Sequence, residues 1–251
     1  MSNFRILIAD DHAIVRQGLR SLLESHPGWE VCAEASDGFE AVKKVEEFKP
    51  DLVALDIGMP QLNGLDAARQ ILRANPKIKI LFLTVYDTDH SAKAAIQLGA
   101  KGLILKSDAA RELMVAVEAI QKNSTYFTAR MQQTVLENNL RGSRRLLEKD
   151  TLTPRERQVT QLLAEGKSTK DVAAILNLSV KTAETHRSNV MNKLGLHSVS
   201  ELVLYAVRNN IVQAFSSAAG TSETPPAASA PTASTATAGT PTPVQETDPV
   251  A

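Results

Sequence analysis

Leu52-Val53-Ala54-Leu55, four apolar residues in succession that end on Asp56, and Ile80-Leu81-Phe82-Leu83-Thr84-Val85 both lack polar alternation. A strand with one wet face alternates, whereas a short unbroken run bounded by turn residues reads as a strand buried on both faces. Working outward, similar runs at 4–9, 29–35 and 102–105 are each separated by enough helix-period chain for one crossover. From residue 4 to about 122 this predicts five βα units, an α/β domain with a parallel sheet covered on both faces. The punctuation agrees. Asp37-Gly38 turns the chain after strand two, Pro50 follows a helix ending near Lys49, Asn63-Gly64 precedes the third helix and Pro76 stops it.

The 251 residues carry 28 basic and 28 acidic side chains, and the zero total hides opposed parts. Residues 1–122 hold 15 basic and 17 acidic groups, 151–213 hold 8 and 5, and 214–251 hold 0 and 3. The front is acidic and the third segment basic. A single cysteine, Cys32, excludes a disulfide framework and a cysteine-rich zinc site, and it points to a reducing cytoplasm. No apolar run approaches the roughly 20 residues of a membrane span, and the opening MSNFRILIADD puts acid where a signal peptide has its basic and apolar regions. Secretion and membrane insertion are not expected.

After the first domain (1–122), residues 123–150 read as a polar, helix-containing linker. A second, all-α domain (151–213) opens at Leu152-Thr153-Pro154-Arg155-Glu156, where Thr153 caps, Pro154 takes the first helical position and Glu156 reaches back. Four helices fit, at 154–165, 168–176, 180–194 and about 198–209. The remainder, 214–251, is a tail. Of the 36 residues from Ser216 on, 28 are Ala, Thr, Pro or Ser, too little apolar surface to offset chain entropy, and disorder is expected there.

Function in an open parallel sheet lies beyond the carboxyl ends of its strands. Strand one ends at Asp10-Asp11, strand three at Asp56, strand four at Thr84 and strand five at Lys106. Crowded carboxylates repel one another unless a hard dication with oxygen ligands, usually Mg²⁺, lies between them. One carboxylate then serves as nucleophile toward a phosphoryl group while a lysine and a hydroxyl stabilise its oxygens. Asp56, central in the sheet, is the expected nucleophile. Taken singly, Asp11 reads as a helix cap near His12 and Lys106 as an ordinary ion-pair partner. The coincidence of all four favours a site.

These residues carry a resemblance. IADDH at 8–12, LDIGMPQLNGLDA at 55–67, LTVYD at 83–87 and LGAKGLILK at 98–106 resemble the receiver domain of bacterial two-component response regulators. The resemblance implies a flavodoxin-like five-stranded sheet of order 2-1-3-4-5, with Asp56 accepting phosphate from a sensor histidine kinase. It further implies Mg²⁺ held by Asp10, Asp11, Asp56 and the Gly58 carbonyl, with Thr84 and Lys106 sensing the phosphoryl group. Two positions depart from the pattern. Leu103 stands where many receivers have a mobile Tyr or Phe, a role open to Tyr86 although an exposed loop tyrosine is the plainer reading of that residue, and Ser107 stands where many have proline.

Residues 168–194 read as two helices joined at Asn177-Leu178-Ser179, a helix-turn-helix with Ser179 as N-cap. On a helical wheel Val180, Ala183, Val190, Met191 and Leu194 face inward, Arg187 lies on the apolar side with its head reaching out, and Lys181, Thr182, Thr185, Ser188, Asn189 and Asn192 face away. Hydroxyls and amides suit base edges, and Lys167, Lys170, Lys181 and Lys193 supply attraction to phosphates. Residues 152–198 closely resemble the LuxR-type helix-turn-helix. That implies base reading by Glu184, Thr185 and Ser188, backbone contacts near Lys181, Thr182 and Lys193, and dimerisation through the last helix. Glu184 can accept from a cytosine amino group or repel phosphate as a selector.

Together these readings describe a phosphorylation-switched regulator of the NarL/FixJ class, not an enzyme, binding double-stranded DNA as a homodimer on two-fold half-sites. A phosphorylation-independent DNA binder whose receiver serves dimerisation is the alternative, motivated by Leu103. A metal-dependent phosphohydrolase is disfavoured, because the haloacid-dehalogenase pattern needs an Asp where Gly58 stands.

Overall fold

Every residue from Leu52 to Asp56 is buried, and this run forms the central strand β3. The structure, a computed structural model, describes residues 3–85, 89–127 and 152–212. Around β3 (Leu52–Asp56) the chain lays down β1 (Phe4–Ala9), α1 (Ala13–Glu24), β2 (Trp29–Ala35) and α2 (Gly38–Phe48), then α3 (Gly64–Ala74), β4 (Lys79–Thr84), α4 (Asp89–Gln97), β5 (Gly102–Leu105) and α5 (Ala109–Gln121). Successive side chains of a strand point to opposite faces, so each strand feeds two cores. Leu7, Val53, Leu55, Phe82 and Leu103 pack on one side with α2, α3 and α4. Ile6, Ile8, Ala54, Leu81 and Ile104 pack on the other with α1 and α5.

The five-strand expectation is corrected by one strand. Tyr126–Phe127 forms β6, parallel to β5 in the register Gly102↔Tyr126 and Leu103↔Phe127, and the order is β2-β1-β3-β4-β5-β6. Two residues carry no readable periodicity. The backbone admits them because Gly102 has no Cβ, which would sit 2.8 Å from the Tyr126 carbonyl oxygen.

The second set of helices is α6 (Pro154–Ala164), α7 (Thr169–Ile175), α8 (Val180–Leu194) and α9 (Val199–Arg208). Thr153 and Glu156 form the reciprocal capping box, with Thr153 N–H donating to Glu156 at 2.8 Å and Glu156 N–H to Thr153 Oγ1 at 3.3 Å. Val159, Leu162, Val172, Ala183, Val190, Leu202 and Ala206 close the core. Val180 does not join them. At 41% exposed it begins α8, where no preceding turn covers it. Ser179 Oγ accepts from Thr182 N–H at 3.0 Å, and Ser179→Ala is expected to destabilise this domain by about 1 kcal/mol in urea unfolding. An unchanged midpoint would show that the cap carries no stability. Tyr86, the linker from 128 to 150, Thr151, Gln213 and the whole tail from 214 lie outside the described residues.

Candidate functional site

The parallel sheet brings the carboxyl ends of β1, β3, β4 and β5 to one edge, where Asp10, Asp56 and Thr84 are nearly inaccessible at 0, 2 and 1% exposure. The Lys106 ammonium lies between two of the acids, 2.7 Å from Asp10 Oδ2 and 3.0 Å from Asp56 Oδ2. The cap explanation for Asp11 fails on geometry. His12 is the N-cap of α1 and no side chain caps that helix. Asp10 Oδ1 instead accepts the His12 backbone N–H at 2.9 Å, and His12 Nδ1 stands 2.7 Å from Asp11 Oδ1. Arg16 fixes this turn from α1 by donating to the Asp10 carbonyl at 2.7 Å.

Burial pushes the Asp56 carboxyl up to about 6, with the Asp10 charge adding to the rise and Lys106 and the Gly58 N–H opposing it. Burial by itself would pull the Lys106 ammonium down, but Asp56 and Asp10 reverse that and hold it above its ordinary value. Asp56 Oδ1 is buried and finds no hydrogen-bond partner among the described residues. A buried, orphaned carboxylate oxygen is costly unless something binds it. Ligand atoms of Asp10, Asp11 and His12 all lie within 4.8 Å of one another. The carboxylates make a hard-oxygen donor set that fits Mg²⁺, with Asp56 joined to it through the Lys106 bridge.

On α8 the outward side chains Lys181, Thr182, Glu184, Thr185, Arg187, Ser188 and Asn189 are all exposed. Arg187 does not pack its stem inward but donates to Thr169 Oγ1 on α7 at 3.3 Å. The Lys193 ammonium is held 2.8 Å from Glu156, so the acid that completes the α6 capping box also occupies this cation.

Comparison with known proteins agrees with this arrangement. The response regulator receiver domain matches residues 6–118 and the luxR family of bacterial regulatory proteins matches 150–206. The oxygen regulatory protein NreC of Staphylococcus aureus is 37% identical over 215 residues, covering 83% of this chain and 99% of NreC. Among solved structures, a LuxR-family two-component response regulator from Aurantimonas is 36% identical with TM-score 0.52, over 55% of this chain and 99% of its own. The RcsB response regulator of Salmonella typhimurium is 28% identical with TM-score 0.56, over 83% and 99%. The chain belongs to the response regulators that join a receiver to a LuxR-type domain. It is a DNA-binding transcription regulator of the two-component class.

Sequence reasoning missed one group of residues. Asn63, read only as a turn signal, and Gln161, read only as a helix residue, are buried and bonded to each other although 98 residues apart. Two amides so far apart share no periodic signal.

Proposed function

We propose that Asp56 is the phosphoacceptor. A sensor histidine kinase presents a phosphohistidine, an Asp56 oxygen forms the new P–O bond as the P–N bond breaks, and the electron pair returns to the imidazole. Asp10, Asp11, Asp56 and the Gly58 carbonyl would hold Mg²⁺, which supplies positive charge to the phosphoryl oxygens. Lys106 turns from its carboxylate partners to the transferred group, and Thr84, at the end of β4, binds another of its oxygens. The observation that carries this reading is the buried Asp56 carboxylate with an orphaned oxygen and a lysine already in its ion pair.

In the second domain Lys181, Thr182, Glu184, Thr185, Arg187, Ser188 and Asn189 form the DNA face, with Lys193 at its far end shared between phosphate and Glu156. A homodimer joined through α9, where Leu204 is 55% exposed, would set two recognition helices on two-fold half-sites in the major groove. The domain limits are 1–122, 123–150, 151–213 and 214–251. Among the described residues no helix is long and apolar enough to cross a membrane, and we place the protein in the cytoplasm. Leu103, wholly buried in the core, favours keeping the phosphorylation-independent binder as the second reading, since no aromatic stands there to swing.

Intact-mass measurement with Mg²⁺ and a small-molecule phosphodonor tests the reading. One phosphoryl adduct is expected in the wild type and none in Asp56→Ala or in chelator, with dimer formation following the adduct. An adduct of equal yield on Asp56→Ala would move the acceptor elsewhere. No adduct in wild type, from donor or kinase, would leave the constitutive binder.

A further inference from the structure

We propose that Glu34 and Arg16 are positioning residues for the acidic site: a bulge in β2 aims Glu34 at α1, and the arginine held there fixes the peptide that joins Asp10 to Asp11. The inference rests on Asp10 and Asp11 as residues that hold Mg²⁺.

β2 pairs with β1 alone, and the pairing is irregular. Val31 stands opposite Ile6 and Ala33 opposite Leu7, so Cys32 has no opposite residue on β1. The extra residue reverses the alternation of the strand. Before it, Trp29 and Val31 pack on the side of α1 and α5, whereas after it Ala33 and Ala35 pack on the other side with α2 and α3. A regular strand would put residue 34 on the face away from Trp29 and Val31. The bulge returns Glu34 to their face, and α1 takes both of its carboxylate oxygens: Arg16 Nε–H donates to Oε2 at 3.3 Å and Arg20 Nε–H donates to Oε1. Bulges re-aim side chains in this way beside functional sites.

Arg16 is thereby fixed with its other end on the site. Its Nη1–H donates to the Asp10 carbonyl at 2.7 Å, while the Asp10 N–H donates to the carbonyl of Ala35, the neighbour of Glu34, at 3.1 Å. The backbone of Asp10 is thus tied twice to the end of β2, once directly and once through Arg16. The bonded carbonyl belongs to the peptide between Asp10 and Asp11, so holding it sets the direction in which Asp11 leaves β1. The Arg16 and Glu34 side chains are 18 and 28% exposed, and an ion pair that wet adds little to stability. Its effect lies in orientation, since groups that hold ligand residues in place set metal affinity. A cation beside a dication site also repels the metal. Charge and positioning therefore act in opposite directions, and the sign of the effect separates them.

Mn²⁺ titration of the full chain, with the free ion read by electron paramagnetic resonance, tests this. Arg16→Ala is expected to raise the dissociation constant about tenfold. Repulsion alone predicts the reverse, tighter binding once the cation is gone. Glu34→Ala should weaken binding in the same direction, and Glu34→Gln, whose amide oxygen still accepts the Arg16 Nε–H, should recover most of the affinity. The His12 N–H donates to Asp10 Oδ1 at 2.9 Å, and its amide resonance should shift in both alanine variants. Glu34→Ala, on the sheet edge, carries the test should Arg16→Ala fail to fold. Unchanged or tighter binding in the folded alanine variants, with Asp11→Asn losing the metal, would overturn the positioning role alone. Binding by Asp11→Asn equal to wild type would instead overturn the metal-holding reading, and the positioning role with it.

Discussion

Gly64→Ala is expected to destabilise the receiver by about 3 kcal/mol, the upper end for a methyl forced into a packed site. Gly64 opens α3, and a Cβ on it would overlap the Asp56 carbonyl oxygen while lying 2.9 Å from the carbonyl carbon and 3.0 Å from Ile57 Cα. All three obstructing atoms are backbone, so no side-chain rotation relieves the overlap. Either the helix start retreats, breaking the Gly64 N–H to Ile57 carbonyl bond, or β3 shifts and carries Asp56 with it. Both routes damage the site as well as the fold, and the adduct rate should fall with stability. Gly18→Ala is the matched control. It lies within α1 with nothing inside 4 Å of an added Cβ, and replacing a helical glycine there should stabilise by about 0.5–1 kcal/mol. Calorimetry of the two variants against wild type decides. If Gly64→Ala melts within a degree or two of wild type, the close approach of α3 to the end of β3 is not a constraint on this fold.

The contrast between these two glycines also marks what a sequence can and cannot disclose. Glycine at 18 and glycine at 64 look alike in a list of residues, and only the crossing of α3 over the end of β3 separates them. The strands were readable because Leu52–Leu55 and Ile80–Leu83 bury both faces, which leaves an unbroken apolar run in the chain. Helix starts were readable because their signals are local: Thr153 and Ser179 cap as expected, and Asp37 and Asn63, read as turns, also each accept from the N–H three residues on. The acidic site followed from topology, since parallel strands put their carboxyl ends on one edge and the chain places Asp10, Asp56, Thr84 and Lys106 there. What escaped reading depends on pairs distant in sequence. Lys193 finds Glu156, Arg187 finds Thr169 and Asn63 finds Gln161 only once the helices are packed. The two-residue strand β6 is set by the space beside Gly102, not by any pattern of its own.

Lys106→Ala is expected to produce a stability deficit that depends on pH, and the sign follows from Asp56. In the unfolded chain that carboxyl titrates near 4, while burial raises it to about 6 in the fold. Between those values the folded state holds a proton that the unfolded state has released, so stability is greatest below the unfolded value and falls as pH rises through about 6. A separation of about two units corresponds to about 3 kcal/mol across the window. The ammonium limits this loss, since it lies 3.0 Å from Asp56 and draws the carboxyl down. Its removal lets the carboxyl climb further and extends the falling limb toward neutral pH. In metal-free buffer the variant should therefore lose about 3 kcal/mol relative to wild type at pH 8, where an uncompensated carboxylate is left buried, and about 1 kcal/mol at pH 5, where both proteins carry Asp56 protonated. Urea midpoints at the two pH values in the presence of chelator measure the difference. Equal deficits at both would mean that Lys106 contributes packing alone and that the Asp56 charge is stabilised by other groups. A gap that widens with pH ties the charge of the buried carboxylate to the lysine in its ion pair.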